Sequence, residues 1–430
     1  MRTNMLFDLG VIEKTIDQKR IQNRIMEFSD IGKVPGQGIT RPGLSEKEIE
    51  AKQKAIFIMK SLGLQIRIDP FGNVMGRREG KDPNAPPIMT GSHLDTVRNG
   101  GGFDGAAGVI GALEVIHALN ELEISTYHPI EVIILTAEEP NRFGISAFGS
   151  KGLSLKWNFE ELSQLKDEKG ISLPIALKSI GIDWESMQRF TQPPRLHAFI
   201  EMHVELGERL YKKGVSIGVV LGVTGIYRQR IIVQGRANHS GTTPMPLRKD
   251  ALMTASEIVL AAEQCVKTQE DEDATATVGR IQVNPNQVNI IPGEVVLTVE
   301  FRSALPEILK DIKTRFEKAL FHIEQKRKIK ILSEEILVQP PMRFSEEVIR
   351  SIRKSTQNLG FPSLELFSMA GHDANHLASI ANAGMIFIPS KGGFSHCPEE
   401  WTDSKDIAKG CMVLLYTILE IDREESEGKR

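Results

Sequence analysis

The stretch Gly91-Ser92-His93-Leu94-Asp95-Thr96 decides how the rest of the chain is read. It closes the apolar segment Pro87–Gly91, so an imidazole and a carboxylate two residues apart are expected at the carboxyl end of a strand. Eleven residues after the histidine comes Asp104, in Phe103-Asp104-Gly105, and the pair Glu138-Glu139 follows a second apolar run, Val132–Leu135. Such donors suit zinc or a similar divalent ion, and a carboxylate shared by two cations holds them about 3.5–4 Å apart, the separation at which one water is activated by both. The pattern reads as half of a two-metal hydrolytic site. The missing imidazoles must come from later in the chain. Among ten histidines the candidates are His203, in Glu201-Met202-His203-Val204-Glu205, and His396, in Gly392-Gly393-Phe394-Ser395-His396.

Asp95 is close enough to His93 to accept its second ring N–H and orient the imidazole, as metal-bound histidines commonly require. Glu138 and Glu139 suggest a division of labour between a ligand, which stays ionised, and a general base, which takes a proton from water and delivers it to a leaving group. Asp104 has a plainer alternative as the N-cap of the helix expected over Ala106–Leu122. Gly100-Gly101-Gly102-Phe103-Asp104-Gly105 satisfies G-x-G-x-x-G, but it does not follow its strand directly, and Asp104 would aim negative charge at a pyrophosphate. A dinucleotide site is therefore excluded. No G-x-S-x-G elbow is present, and Cys397 beside His396 reads as an ordinary buried thiol.

Working outward, Ser45 and Glu48 form a capping box before Ile49, Ile56, Met59 and Leu62, predicting a helix that stops at Gly63. Leu64–Ile68, Pro87–Gly91, Glu131–Thr136 and Ala198–Val204 read as strands around the Ala106–Leu122 helix, the alternation of a mixed or parallel α/β sheet. The metal-ligand candidates fall just beyond strand ends, where open α/β sheets build their sites. From about Gly225 to Leu337 the rhythm becomes β-α-β-β-α-β, which predicts an inserted ferredoxin-like domain. The expected division is a catalytic domain over residues 1–224 and 339–430, with an insertion over 225–338. The charged tail Asp422–Arg430 reads as disordered.

At 430 residues, 40% hydrophobic and 25% charged, the chain is long enough for two buried cores. A net charge of −3 without a basic patch gives no expectation of nucleic-acid binding. Three cysteines, Cys265, Cys397 and Cys411, form no even framework, which points to a reducing compartment. The segment Met1–Asp8 lacks a signal-peptide core, and no stretch reaches the roughly 18 apolar residues of a membrane span. A cytoplasmic enzyme with no membrane partner is expected.

Taken together, Gly91–Thr96, Asn99–Gly108, Thr136–Phe143, Glu201–Gly207, Ala237–Pro244, Asn289–Gly293, Phe301–Arg302, Gly371–Ala374 and Gly392–His396 resemble, in order, a branch of the aminoacylase/carboxypeptidase superfamily. That branch is the dinuclear-metal amidohydrolases, in particular the N-carbamoyl-L-amino-acid hydrolase, allantoate amidohydrolase and β-ureidopropionase group. The resemblance implies that Asp104 bridges two divalent ions. His93 and His203 would complete one metal, and Glu139 and His396 the other, with Glu138 the base. Zinc is the first expectation for the metal, with manganese, cobalt or nickel also accepted by such donors. It implies substrate contacts from Asn289, from the Gly371-His372 segment, and from Arg302, whose planar fork suits a substrate carboxylate. His239 would stabilise the oxyanion from the lid of a partner subunit, making the protein a homodimer.

One position departs from the group's pattern. Leu206 stands where a substrate-contacting glutamine is common, so the acyl group recognised is expected to be less polar than a carbamoyl. The expected activity is hydrolysis of a linear amide in an N-carbamoyl amino acid or a related ureido acid such as allantoate. An N-acyl-amino-acid deacylase or dipeptidase is the alternative, and a non-catalytic dimeric binding protein is the alternative outside enzymes.

Overall fold

The structure is a computed structural model that describes residues 14–269, 271 and 273–428. Met1–Asp8, read above for a signal-peptide core, lie outside the described residues. The chain divides into two compact units. One contains the residues up to Leu221 together with Phe344–Leu366 and the chain from Gly371 on; the other contains Gly222–Arg343 and Phe367–Ala370.

The first unit is built on a mixed sheet. Ile88–His93, Ile130–Leu135 and Ala198–Val204 are buried at every position, the pattern of strands covered on both faces. Ile88–His93 lies between the other two and is parallel to both, while Asn382–Ile388 adds a further parallel strand beside Ala198–Val204. His93 is the last residue of its strand, not a loop residue beyond it as expected, whereas His203 lies inside the strand Ala198–Val204 that the sequence predicts. The helix Ala106–Glu121 is buried along nearly its whole length. Its counterpart is the final helix, Ser404–Gly428, which corrects the expectation of a disordered tail from Asp422 as far as Gly428; Lys429 and Arg430 lie outside the described residues. The physical reason lies in the Asp422 carboxylate, which accepts the Tyr127 and His128 N–H groups at 2.9 and 2.8 Å and so ties the helix to a loop distant in sequence.

The second unit follows the order β-α-β-β-α-β. Its strands are Gly225–Gln234, Thr275–Asn284, Glu294–Ser303 and Lys330–Gln339, fully antiparallel, with Glu294–Ser303 and Gly225–Gln234 in the centre. Val295, Leu297, Val299 and Phe301 are fully buried on one face of their strand. They pack against Ile258 and Ala262 of the helix Ala251–Lys267 and Ile312, Phe316 and Leu320 of the helix Pro306–Arg327. The first of these helices starts at Ala251 because Asp250 caps it by accepting the Leu252 and Met253 N–H groups.

Candidate active site

His93, Asp104 and His203 form one group of donors, and Asp104, Glu139 and His396 form a second that shares the aspartate. The two strand-end imidazoles have a defined tautomer. His93 Nδ1 lies 3.1 Å from the Asp95 carbonyl and His203 Nδ1 lies 2.9 Å from the Val204 carbonyl, and since a carbonyl only accepts, each Nδ1 carries the proton. The Nε2 atoms therefore face Asp104 Oδ1, at 3.6 and 3.3 Å. An Nε2 facing a carboxylate at this distance needs a proton or a metal cation between them, and Asp104 accordingly outweighs burial to raise both imidazoles above their ordinary range. His396 Nε2 completes the second group, 3.2 Å from Asp104 Oδ2 and 3.0 Å from Glu139 Oε1.

These spacings fit a metal. An ion about 2.0–2.2 Å from each donor of a tetrahedron sets the donors about 3.3–3.6 Å apart. Asp104 Oδ2 is buried and receives no well-directed hydrogen bond, as a ligand oxygen would be. The same demand for positive charge shows in the titration of the site. Burial opposes ionisation of Asp104, but His203, His396 and His93 outweigh it and hold the carboxyl well below its ordinary range. The adjacent Asp104 and Glu139 carboxylates hold His396 up to about 10. Asp104 does not cap the helix that follows it. Gly105 is the N-cap, at φ +64, and a Cβ there would fall 2.5 Å from the His93 ring.

Asp95 is fully buried and does more than orient His93, whose Nδ1 is 3.4 Å from Oδ1. Its two oxygens also accept the Glu138 and Glu139 N–H groups, at 3.1 and 3.0 Å, so one carboxylate sets the spacing between the His93 strand and the Glu138-Glu139 turn. Glu138 stands apart from both donor groups, with Oε2 3.9 Å from His93 Nε2. Burial, with the charges of Asp373, Glu139 and Asp95 adding to it, raises its carboxyl well above the ordinary range, which favours a group that must accept and hold a proton.

Two buried acids escaped the sequence reading. Glu201 accepts the Ser92 hydroxyl at 2.7 Å and the Ala374 N–H at 3.0 Å. It lies two residues before His203 on one strand, so the period of two places both on the same face, a signal available in the sequence. Glu201, His203 and His372 also lie close enough to form a donor group, but both Glu201 oxygens and His203 Nδ1 already have partners, so the two groups sharing Asp104 fit an ion better. Glu400 accepts the Phe103 and Asp104 N–H groups at 2.8 and 2.9 Å, and burial, then the nearby Asp104 charge, pushes it up to about 7. Nothing local in the sequence links residues so far apart.

The expected substrate residues are placed as follows. His372 is buried with its ring 4.5 Å from that of His203, and burial, then the positive His203, holds it well below 6.5. Gly371 before it is exposed, and an added Cβ would meet nothing closer than 3.9 Å, so packing does not require a glycine there. Leu206 is partly buried at φ +62 and donates its N–H to Ser390 Oγ at 3.2 Å. In the second unit His239 and Asn289 are brought together. His239 pairs with Ile290 in a short antiparallel ladder, and the Asn289 carbonyl accepts the Ser240 N–H at 3.0 Å. His239 Nδ1 accepts the Gly241 and Thr242 N–H groups at 3.1 and 3.3 Å, which leaves the ring proton on Nε2 as an exposed donor. Arg302 is only partly available. Its Nε donates to Glu300 at 2.7 Å and its Nη1 to the Met369 carbonyl, leaving Nη2 as the unspent arm among the described residues.

Known proteins resemble the chain over nearly its whole length. The model of peptidase family M20/M25/M40 matches residues 89–420. The chain is 34% identical over 411 residues to an N-carbamoyl-L-amino acid amidohydrolase of Geobacillus stearothermophilus, covering 95% of this chain and 100% of that one. It is 30% identical over 399 residues to an allantoate amidohydrolase of Bacillus subtilis, covering 92% and 96%. A solved structure of a hydantoinase/carbamoylase family amidase from Burkholderia multivorans is similar at a TM-score of 0.87 and 34% identity, over 94% of this chain and 98% of that one. With the family model matched over residues 89–420 and a relative 34% identical over nearly the full length of both chains, the chain belongs to peptidase family M20/M25/M40.

Proposed function

We propose that the protein is a metal-dependent amidohydrolase that cleaves the ureido C–N bond of N-carbamoyl amino acids or of a related acid such as allantoate. The observation that carries this reading is the convergence of three imidazoles, each through Nε2, on the two oxygens of Asp104. His93, His203 and Asp104 would hold one ion and Asp104, Glu139 and His396 the other, with zinc or manganese suited to the donors. Bound there, divalent cations supply a water of lowered pKa and polarise the scissile carbonyl. Glu138 takes the proton of the attacking water and delivers it to the departing nitrogen. Asp95 keeps Glu138 and Glu139 at a fixed spacing, so base and ligand do not exchange roles. The names of the relatives supply the substrate class.

A second reading, an N-acyl-amino-acid deacylase, is favoured by Leu206, which offers an acyl pocket neither donor nor acceptor. Paired N-carbamoyl, N-formyl and N-acetyl forms of the same amino acids, with allantoate and β-ureidopropionate, separate the two. The expected result is a kcat/KM for the N-carbamoyl form at least about 10-fold above that for the N-acetyl form. The reverse order would move the function to deacylation.

The second unit is the inserted ferredoxin-like lid and dimerisation domain in this reading, spanning residues 225–338. His239 donates its Nε2 proton to the developing oxyanion in the site of the partner subunit, and Arg302 and Asn289 hold the substrate carboxylate end. Mixing inactive His239→Ala with inactive Glu138→Gln protein is then expected to restore activity, because a heterodimer holds one site with both groups intact. Demonstrated subunit exchange without recovery would place His239 in its own subunit's site or outside catalysis.

A further inference from the structure

The capping sequence Ser45-x-x-Glu48 is only half used as a cap. Ser45 Oγ accepts the Glu48 N–H at 3.4 Å, but the Glu48 carboxylate, which in a reciprocal cap would return to the Ser45 N–H, turns inward. Its Oε2 accepts the Leu44 N–H at 2.7 Å and its Oε1 accepts the Ala137 N–H at 3.0 Å. Lys52, one helical turn on, lies 2.8 Å from the same Oε1 and donates to Thr136 Oγ1 at 2.8 Å and the Gly72 carbonyl at 3.2 Å. All three ammonium protons are thereby used. Glu48 is fully buried and Lys52 is 3% exposed.

A buried ion pair is a costly device, since removing either partner strands the other charge away from water. A helix that needed only a cap would not require one. What this pair grips is Thr136-Ala137, the two residues between the end of the Ile130–Leu135 strand and Glu138. Ala137 has φ +50, a left-handed conformation that its Cβ disfavours. The opposite wall is equally tight, for a Cβ added to Gly43 would fall 2.4 Å from the Ala137 Cβ. Directly after this kink the Glu138 and Glu139 N–H groups reach Asp95.

We infer that Glu48 and Lys52 are positioning residues for Glu138, holding the left-handed turn at Ala137 and so setting the aim of the Glu138 carboxylate without touching substrate or metal. The inference rests on the reading of Glu138 as the general base. Glu48→Gln keeps the shape and one acceptor oxygen while removing the charge that pairs with Lys52. The test measures kcat, KM, metal content and Tm for wild type, Glu48→Gln, Glu138→Gln and the double variant, with an N-carbamoyl amino acid as substrate.

Glu48→Gln is expected to lower kcat roughly 10- to 100-fold, the scale of a sub-ångström to 1 Å misplacement, with KM and metal content at wild-type values. In the Glu138→Gln background it is expected to cause no further loss, because a misaimed base is no worse than an absent one. An unchanged kcat, an equal loss in both backgrounds, or a loss in step with metal content would overturn the inference. Full activity of Glu138→Gln with Glu48 intact would overturn the base assignment itself, and this inference with it. Should Glu48→Gln fail to fold, the uncharged pair Glu48→Gln/Lys52→Met, which strands no charge, is expected to regain Tm but not kcat. Recovery of both together would leave the pair a purely structural role.

Discussion

Glu138→Gln lowers kcat by about 10²–10⁴-fold while the protein keeps its metal. The first half follows from proton transfer: an amide is nearly isosteric with the carboxyl but does not accept a proton from water at neutral pH. The second half follows from geometry. Glu138 belongs to neither of the donor groups that share Asp104, and its closest imidazole nitrogen among the candidate ligands, His93 Nε2, is 3.9 Å away. Asp95 continues to hold the backbone of both glutamates in the variant, so Glu139 keeps its place. Steady-state kinetics beside elemental analysis of the purified protein checks both halves. Loss of metal with the substitution would make Glu138 a ligand and leave the base unassigned.

Asp104→Ala has the larger effect, because it removes the one group common to both donor sets. Three imidazoles lie within 3.2–3.6 Å of its two oxygens, and without it His93 and His203 make a two-donor remnant and Glu139 and His396 another. Neither remnant is a closed site. The expected outcome is loss of bound metal and activity at or below about 10⁻³ of wild type, with the fold kept, since Asp104 does not cap its helix. Two metals per subunit retained in this variant would contradict the bridging role.

Much of this was legible in the sequence where one local signal decided the outcome. Short apolar segments marked the buried strands Ile88–His93, Ile130–Leu135 and Ala198–Val204, and the β-α-β-β-α-β rhythm marked the second unit. His93, Asp104, Glu139, His203 and His396, read from spacing and resemblance, come together in space. What was not legible depends on partners far away in the chain. The Ser45–Glu48 pattern predicted a helix start correctly, yet it could not show that the Glu48 carboxylate serves Ala137. The charged tail from Asp422 looked unstructured by composition, yet Asp422 is held by the Tyr127 and His128 N–H groups, partners far away in the chain. Glu400 and Asp104 likewise meet only through the tertiary fold.

Titration of metal-depleted protein with zinc or manganese, following ammonium release from an N-carbamoyl-L-amino acid, tests the central claim most directly. Activity is predicted to be absent in the depleted protein, to rise with bound metal, and to level off when both donor groups sharing Asp104 are filled. Undiminished hydrolysis by protein shown to be free of metal would contradict the account.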